Sequence, residues 1–171
     1  MSWSVFKLAW AKNGTPNTLG SAGDDIDITD LTAKKFNLFL SHTSATSGNQ
    51  ATPKITFNNN TNSVYTQREN VNGAADTTRT SDVNLRTNIG HTNWGDQFEV
   101  IYLISISGEE KLGICFDFWG NTAGAANAPE RGEIYSKFVP SPDADITRID
   151  YNNTDSGDFQ IGDNLSALGT N

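Results

Sequence analysis

Phe98-Glu99-Val100-Ile101-Tyr102-Leu103-Ile104-Ser105-Ile106, a turn at Gly108-Glu109-Glu110, and Lys111-Leu112-Gly113-Ile114-Cys115-Phe116-Asp117-Phe118 decide the fold of this chain. The first run is rich in β-branched and aromatic residues and stops at Ser-Gly, which selects strand over helix. It is apolar on both faces, so it belongs in the middle of a sheet or against a partner. In the second run Leu112, Ile114, Phe116 and Phe118 share one face by the two-residue period of a strand, and that row reads as the inward one. Two such runs around a Gly turn predict an antiparallel hairpin. Phe116→Ala should then cost about 3 to 5 kcal/mol, as for emptying a large aromatic site in a core.

The same alternation continues outward from this hairpin. Asp25-Ile26-Asp27-Ile28-Thr29 sets its isoleucines against its carboxylates, and Lys35-Phe36-Asn37-Leu38-Phe39-Leu40 puts Phe36, Leu38 and Leu40 on one face with Phe39 on the other. Lys54-Ile55-Thr56-Phe57 and Val64-Tyr65-Thr66-Gln67-Arg68 flank the polar turn 58–63, whose asparagines suit a hairpin. Residues 69–95 read as a long exposed loop or short edge strands. Further strands are expected at 131–139, 146–151 and 164–168, separated by Gly- and Pro-rich connections. About eight to ten short strands at this spacing, without helical period or long repeats, predict an all-β fold. It is a single antiparallel β-sandwich, jelly-roll-like, spanning residues 1–171.

Composition agrees. A chain of 171 residues buries roughly 70% of its unfolded surface, and the 10% aromatic content offsets a hydrophobic fraction of only 36%. Cys115 stands alone, so no intrachain disulfide or cysteine metal cluster is expected, and its place is inside a strand. No stretch approaches the ~20 apolar residues of a spanning helix, and Met1-Ser2-Trp3-Ser4-Val5-Phe6 has no signal-peptide pattern, which predicts synthesis in the cytoplasm without export. The net charge of −8 opposes binding to phosphate backbones.

Chemistry finds little purchase. His42 and His91 are the only histidines, both expected in solvated loops, and no nucleophile elbow accompanies them. A paired-carboxylate glycosidase needs two acids facing one cleft, and 20 acids nominate no pair; Glu130 and Glu133 would be the first to test. The clusters Asp24, Asp25, Asp27, Asp30 and Asp155, Asp158, Asp163 lack a calcium-loop pattern and read as solvated carboxylates. No catalytic residue, metal or cofactor is assigned. Trp94 and Trp119 lie beside Gly and polar residues, in loops, where they would stack on a sugar or anchor a partner, or else cap the ends of the core.

Leu19-Gly20-Ser21-Ala22-Gly23-Asp24, Ala33-Lys34-Lys35-Phe36, and Phe57-Asn58 with Tyr65, Arg68 and Asn72-Gly73 are followed in order by three later groups. These are Glu110-Lys111-Leu112, then Ala128-Pro129-Glu130-Arg131-Gly132-Glu133 with Lys137-Phe138, and Asn153-Thr154-Asp155-Ser156-Gly157-Asp158-Phe159 through Leu168-Gly169. Across nearly the whole chain this order resembles a family of small virion structural proteins of tailed, often marine, bacteriophages. The sequence departs from the family in having Asn60 where an acid is usual and Phe138 where Trp is common, so no binding role is taken from those positions. The resemblance implies a virion part and carries over no catalytic residue. With an acidic, loop-rich exterior, the expected function is a capsid decoration or cement protein on the outer head surface. Its expected partners are itself, as a homo-oligomer of threefold form, and the major capsid protein, with neither nucleic acid nor membrane. The alternative is a tail or fibre adsorption module that holds host glycan through Trp94 and Trp119, distinguished by an aromatic-floored groove. A carbohydrate-active enzyme ranks last.

Overall fold

The computed structural model describes residues 10–44, 52–87, 96–120, 124–141 and 144–171. Within them the alternating runs become thirteen strands: β1 (Ala11–Lys12), β2 (Asn17–Thr18), β3 (Asp25–Ile28), β4 (Phe36–Thr43), β5 (Pro53–Phe57), β6 (Tyr65–Val71), β7 (Thr77–Asp82), β8 (Leu85–Arg86), β9 (Gln97–Ile104), β10 (Lys111–Trp119), β11 (Glu130–Phe138), β12 (Ile149–Asn153) and β13 (Asn164–Thr170). β1, β2 and β8 are two residues long, which leaves ten of the length the sequence predicts. Among the described residues there is no helix.

All strand pairings are antiparallel. One sheet runs β1-β13-β4-β9-β10-β11-β6-β7 with β2 also on β13, and the other runs β3-β12-β5-β8. The chain alternates between the two sheets from β2 to β6, from β7 to β9 and from β11 to β13, while the hairpin β6-β7 and the meander β9-β10-β11 stay within the large one, the pattern of an antiparallel β-sandwich. The expected hairpin is present in that meander, with Leu112 opposite Ile104 and Phe118 opposite Phe98.

The turn at 58–63 does not close a hairpin. β5 pairs with β12 and β8, whereas β6 pairs with β11 and β7, so this turn carries the chain from the small sheet to the large one. Its asparagines still do what the sequence suggests: Asn58 and Asn59 take φ values of 56° and 53°, a conformation Asn tolerates. The Tyr65 hydroxyl accepts from the Phe57 N–H at 3.0 Å and donates to the Asn60 carbonyl at 2.9 Å, fixing the crossover.

Both sheets share one core, centred on Phe57, whose ring lies 6.0 Å from Phe39 and 5.6 Å from Phe138. The inward face of β10 is not the one expected. Leu112, Ile114, Phe116 and Phe118 point out into solvent, and Lys111, Gly113, Cys115, Asp117 and Trp119 point in. Alternation separates two faces without saying which meets the second sheet. That is settled by space and by partners. Any side chain at Gly113 would collide with Ser136 Oγ at 2.8 Å, and Lys111 is admitted because its Nζ donates to the Ile106 and Glu109 carbonyls at 2.6 and 2.8 Å. On β4 likewise Phe39 faces the core, while Phe36, Leu38 and Leu40 are half-buried on the outer side.

Candidate functional site

Strand register builds an apolar lattice on the outer face of the large sheet. Across β4, β9, β10 and β11 the outward side chains align in rows: Phe36, Ile104, Leu112, Lys137; then Leu38, Tyr102, Ile114, Tyr135; then Leu40, Val100, Phe116, Glu133; then His42, Phe98, Phe118, Arg131. At about 4.8 Å between strands and 3.3 Å per residue, the lattice measures roughly 15 by 20 Å. On β4, β9 and β10 it contains one polar side chain, His42. Leu112 is 52% exposed, Tyr135 51%, and Tyr102, Ile104, Ile114, Phe116 and Phe118 are each more than a third exposed. With about 200 Å² for the full area of each, these seven leave on the order of 600 Å² of apolar side chain in water. The largest patch on an ordinary monomer is roughly 300 to 600 Å².

One half of this face is concave. Trp10 on one side and Arg68 and Thr78 on the other bound a cavity of about 600 Å³ floored by Phe36, Tyr102, Ile104, Leu112, Ile114 and Tyr135. Among the described residues its lining contains no carboxylate. The charges at the margin are paired: Arg131 with Glu133 at 3.4 Å, Lys137 with Glu110 at 3.1 Å, and Arg68 with Asp76 at 3.5 Å.

The outer face of the small sheet is the opposite in character. Asp27 and Asp150 stand opposite each other on β3 and β12, and Arg148 bridges them, its Nη2 2.8 Å from Asp27 and its Nε on Asp150. Burial, then the charge of Asp150, raises the Asp27 carboxyl above its ordinary value against the pull of Arg148. In register with them Lys54 and Arg86 stand on the same side, so the sandwich has one apolar broad face and one of mixed charge.

Between the sheets lies a second acid pair. Glu99 and Asp117 are opposite each other on β9 and β10, both essentially without solvent exposure. Gln97 Nε2 donates to Glu99 Oε1 at 2.5 Å and Ser41 Oγ to Oε2 at 3.2 Å, and the Thr87 and Tyr151 side chains lie against the same carboxyl. Burial, reinforced by Asp117, pushes Glu99 up to about 7. Asp117 fits because Gly132 faces it: a Cβ there would overlap the carboxylate, with its Cγ 2.9 Å away. The pair is sealed from solvent between the sheets.

Trp119 is the last residue of β10, 1% exposed and part of the inward face, so it is not a loop contact; Trp94 and His91 lie outside the described residues. His42 is within β4, not a loop, with Asp96 and Asp163 at 3.6 and 3.7 Å. Glu130 and Glu133 are an odd number of residues apart on β11 and point to opposite sides of the sheet, so they share no cleft. The Asp clusters hold structure: Asp30 accepts from Thr15 N and Oγ1 at 2.8 and 2.7 Å, and the buried Asp163 accepts from Ser44 and Gln160. Among the described residues no group of three or more His, Cys, Asp or Glu could hold a metal. Sequence reasoning missed Trp10, Tyr102 and Tyr135 as surface features. The signal present was the apolar character of β4 and β9 on both faces. Comparison with protein-family models, with curated proteins and with solved structures finds no match.

Proposed function

We propose that the protein is a structural part of a tailed-phage virion, a decoration or cement protein that assembles on the outer surface of the head. The apolar lattice on β4, β9 and β10 carries this reading. So much hydrocarbon in water favours assembly, while a net charge of −8 per chain opposes further clumping of the assembled particle. The order of sequence groups that resembles tailed-phage virion proteins supports the same reading. The test is sedimentation of purified protein with heads that lack it, against sedimentation with host cells. Pelleting with heads and a higher melting temperature of those heads support the reading; indifference to heads contradicts it.

The aromatic floor formed by Trp10, Phe36, Tyr102 and Tyr135 favours a second reading, a host-glycan adsorption module. A sugar needs several polar partners around its hydroxyls, and this floor is mostly aliphatic and aromatic hydrocarbon, so the reading ranks second. Binding of host polysaccharide that is lost in Tyr102→Ala would promote it.

A further inference from the structure

We infer that the occupant of the apolar lattice is a second copy of this chain, packed face to face across a twofold axis. The inference rests on reading this face as an assembly surface and names the partner. Three observations carry it.

The first is area. The seven most exposed side chains leave on the order of 600 Å² uncovered. The half-buried Phe36, Leu38, Leu40, Phe98 and Val100, with Trp10 at 40% exposure, bring the face to roughly the 800 Å² per partner of a stable interface. A twofold contact uses the same patch on both copies and leaves none of it open, which suits a continuous lattice with no separate complementary patch among the described residues.

The second is charge. Each copy carries −8, yet the lattice has no acid on β4, β9 or β10, and the ionisable groups at its margin are matched internally as Arg131 with Glu133, Lys137 with Glu110 and Arg68 with Asp76. Such a face meets its own copy without like-charge repulsion and offers nothing to select a strongly basic or acidic protein. The third is geometry. The lattice lies on a sheet face, and two sheets stack about 10 Å apart with interdigitating side chains. Asp25, Asp27 and Asp150, with Lys54, Arg86 and Arg148 beside them, lie on the far side of each sandwich, so stacking buries none of these charges.

Light scattering of the full chain on a sizing column tests this. The expected species has twice the 18.6 kDa chain mass. Phe116→Asp, in the middle of the lattice, should give a folded monomer and weaken self-association at least about thirtyfold, the effect of a central hot-spot residue. Should that variant fail to fold, Leu112→Glu, whose side chain is already half in water, is the second probe with the same expectation. A wild-type monomer at tens of micromolar, a trimer, or a dimer that survives both substitutions overturns the inference. A dimer that ignores heads sinks the virion reading and leaves this inference standing, and a monomer that still binds heads does the reverse.

Discussion

Two carboxyls, Glu99 and Asp117, face each other on neighbouring strands and are sealed between the sheets. The folded chain keeps the Glu99 proton up to about pH 7, whereas the unfolded chain releases it near its ordinary value of 4.5. Between those values the folded state binds the extra proton, so stability falls as pH rises from 4.5 towards 7 and then levels off. The shift corresponds to on the order of 3 kcal/mol. Glu99→Gln should remove that slope and be the more stable protein at about pH 8, as read from urea midpoints across the range. Parallel curves for the two proteins would show that Glu99 is ionised in the fold. A second comparison concerns two phenylalanines. Phe57→Ala, at the centre of the ring cluster, should cost about 3 to 5 kcal/mol, while Phe116→Ala should cost less than about 1.5 kcal/mol, because its ring is already 42% exposed. Urea unfolding at low protein concentration measures both, and equal costs would return Phe116 to the core. Neither result was legible in the sequence: a strand such as β10 alternates whichever face is covered, and Glu99 sits in an apolar run that reads as buried hydrocarbon.

The strands themselves were legible, because β-branched and aromatic residues at period two mark them locally. The hairpin β9-β10 follows from one turn and two runs, and β3, β4 and β11 fall where alternation puts them. Pairing across a connection was less so. The turn 58–63 has the composition of a hairpin, yet β5 and β6 enter different sheets, since their partners β12 and β11 lie far along the chain and nothing local encodes them. The Tyr65 hydroxyl is what makes this crossover more than a loop. Tyr65→Phe strands the Phe57 N–H and the Asn60 carbonyl, and should cost about 1 to 3 kcal/mol without changing the far-ultraviolet spectrum. Thermal unfolding gives the number, and an unchanged midpoint would mean that water replaces the hydroxyl freely.

At the scale of the molecule, the sandwich sets one broad apolar face against one of mixed charge. The sequence signalled a surplus of apolar strand surface through the two-sided runs of β4 and β9. It did not place that surplus, because only the packing of the narrower sheet decides which side is covered. Trp119, read either as a ligand contact or as a cap on the end of the core, lies on the inward face, and Trp10, which drew no attention, borders the exposed concavity. The account stands on the claim that assembly covers the outer lattice. Linkage gives its most direct measurement: association that involves only the folded state raises stability with protein concentration. Melting temperature recorded over about a hundredfold range of concentration should climb for the wild-type chain and stay flat for Phe116→Asp. A wild-type melting temperature independent of concentration, equal in slope to that of the variant, would contradict the account.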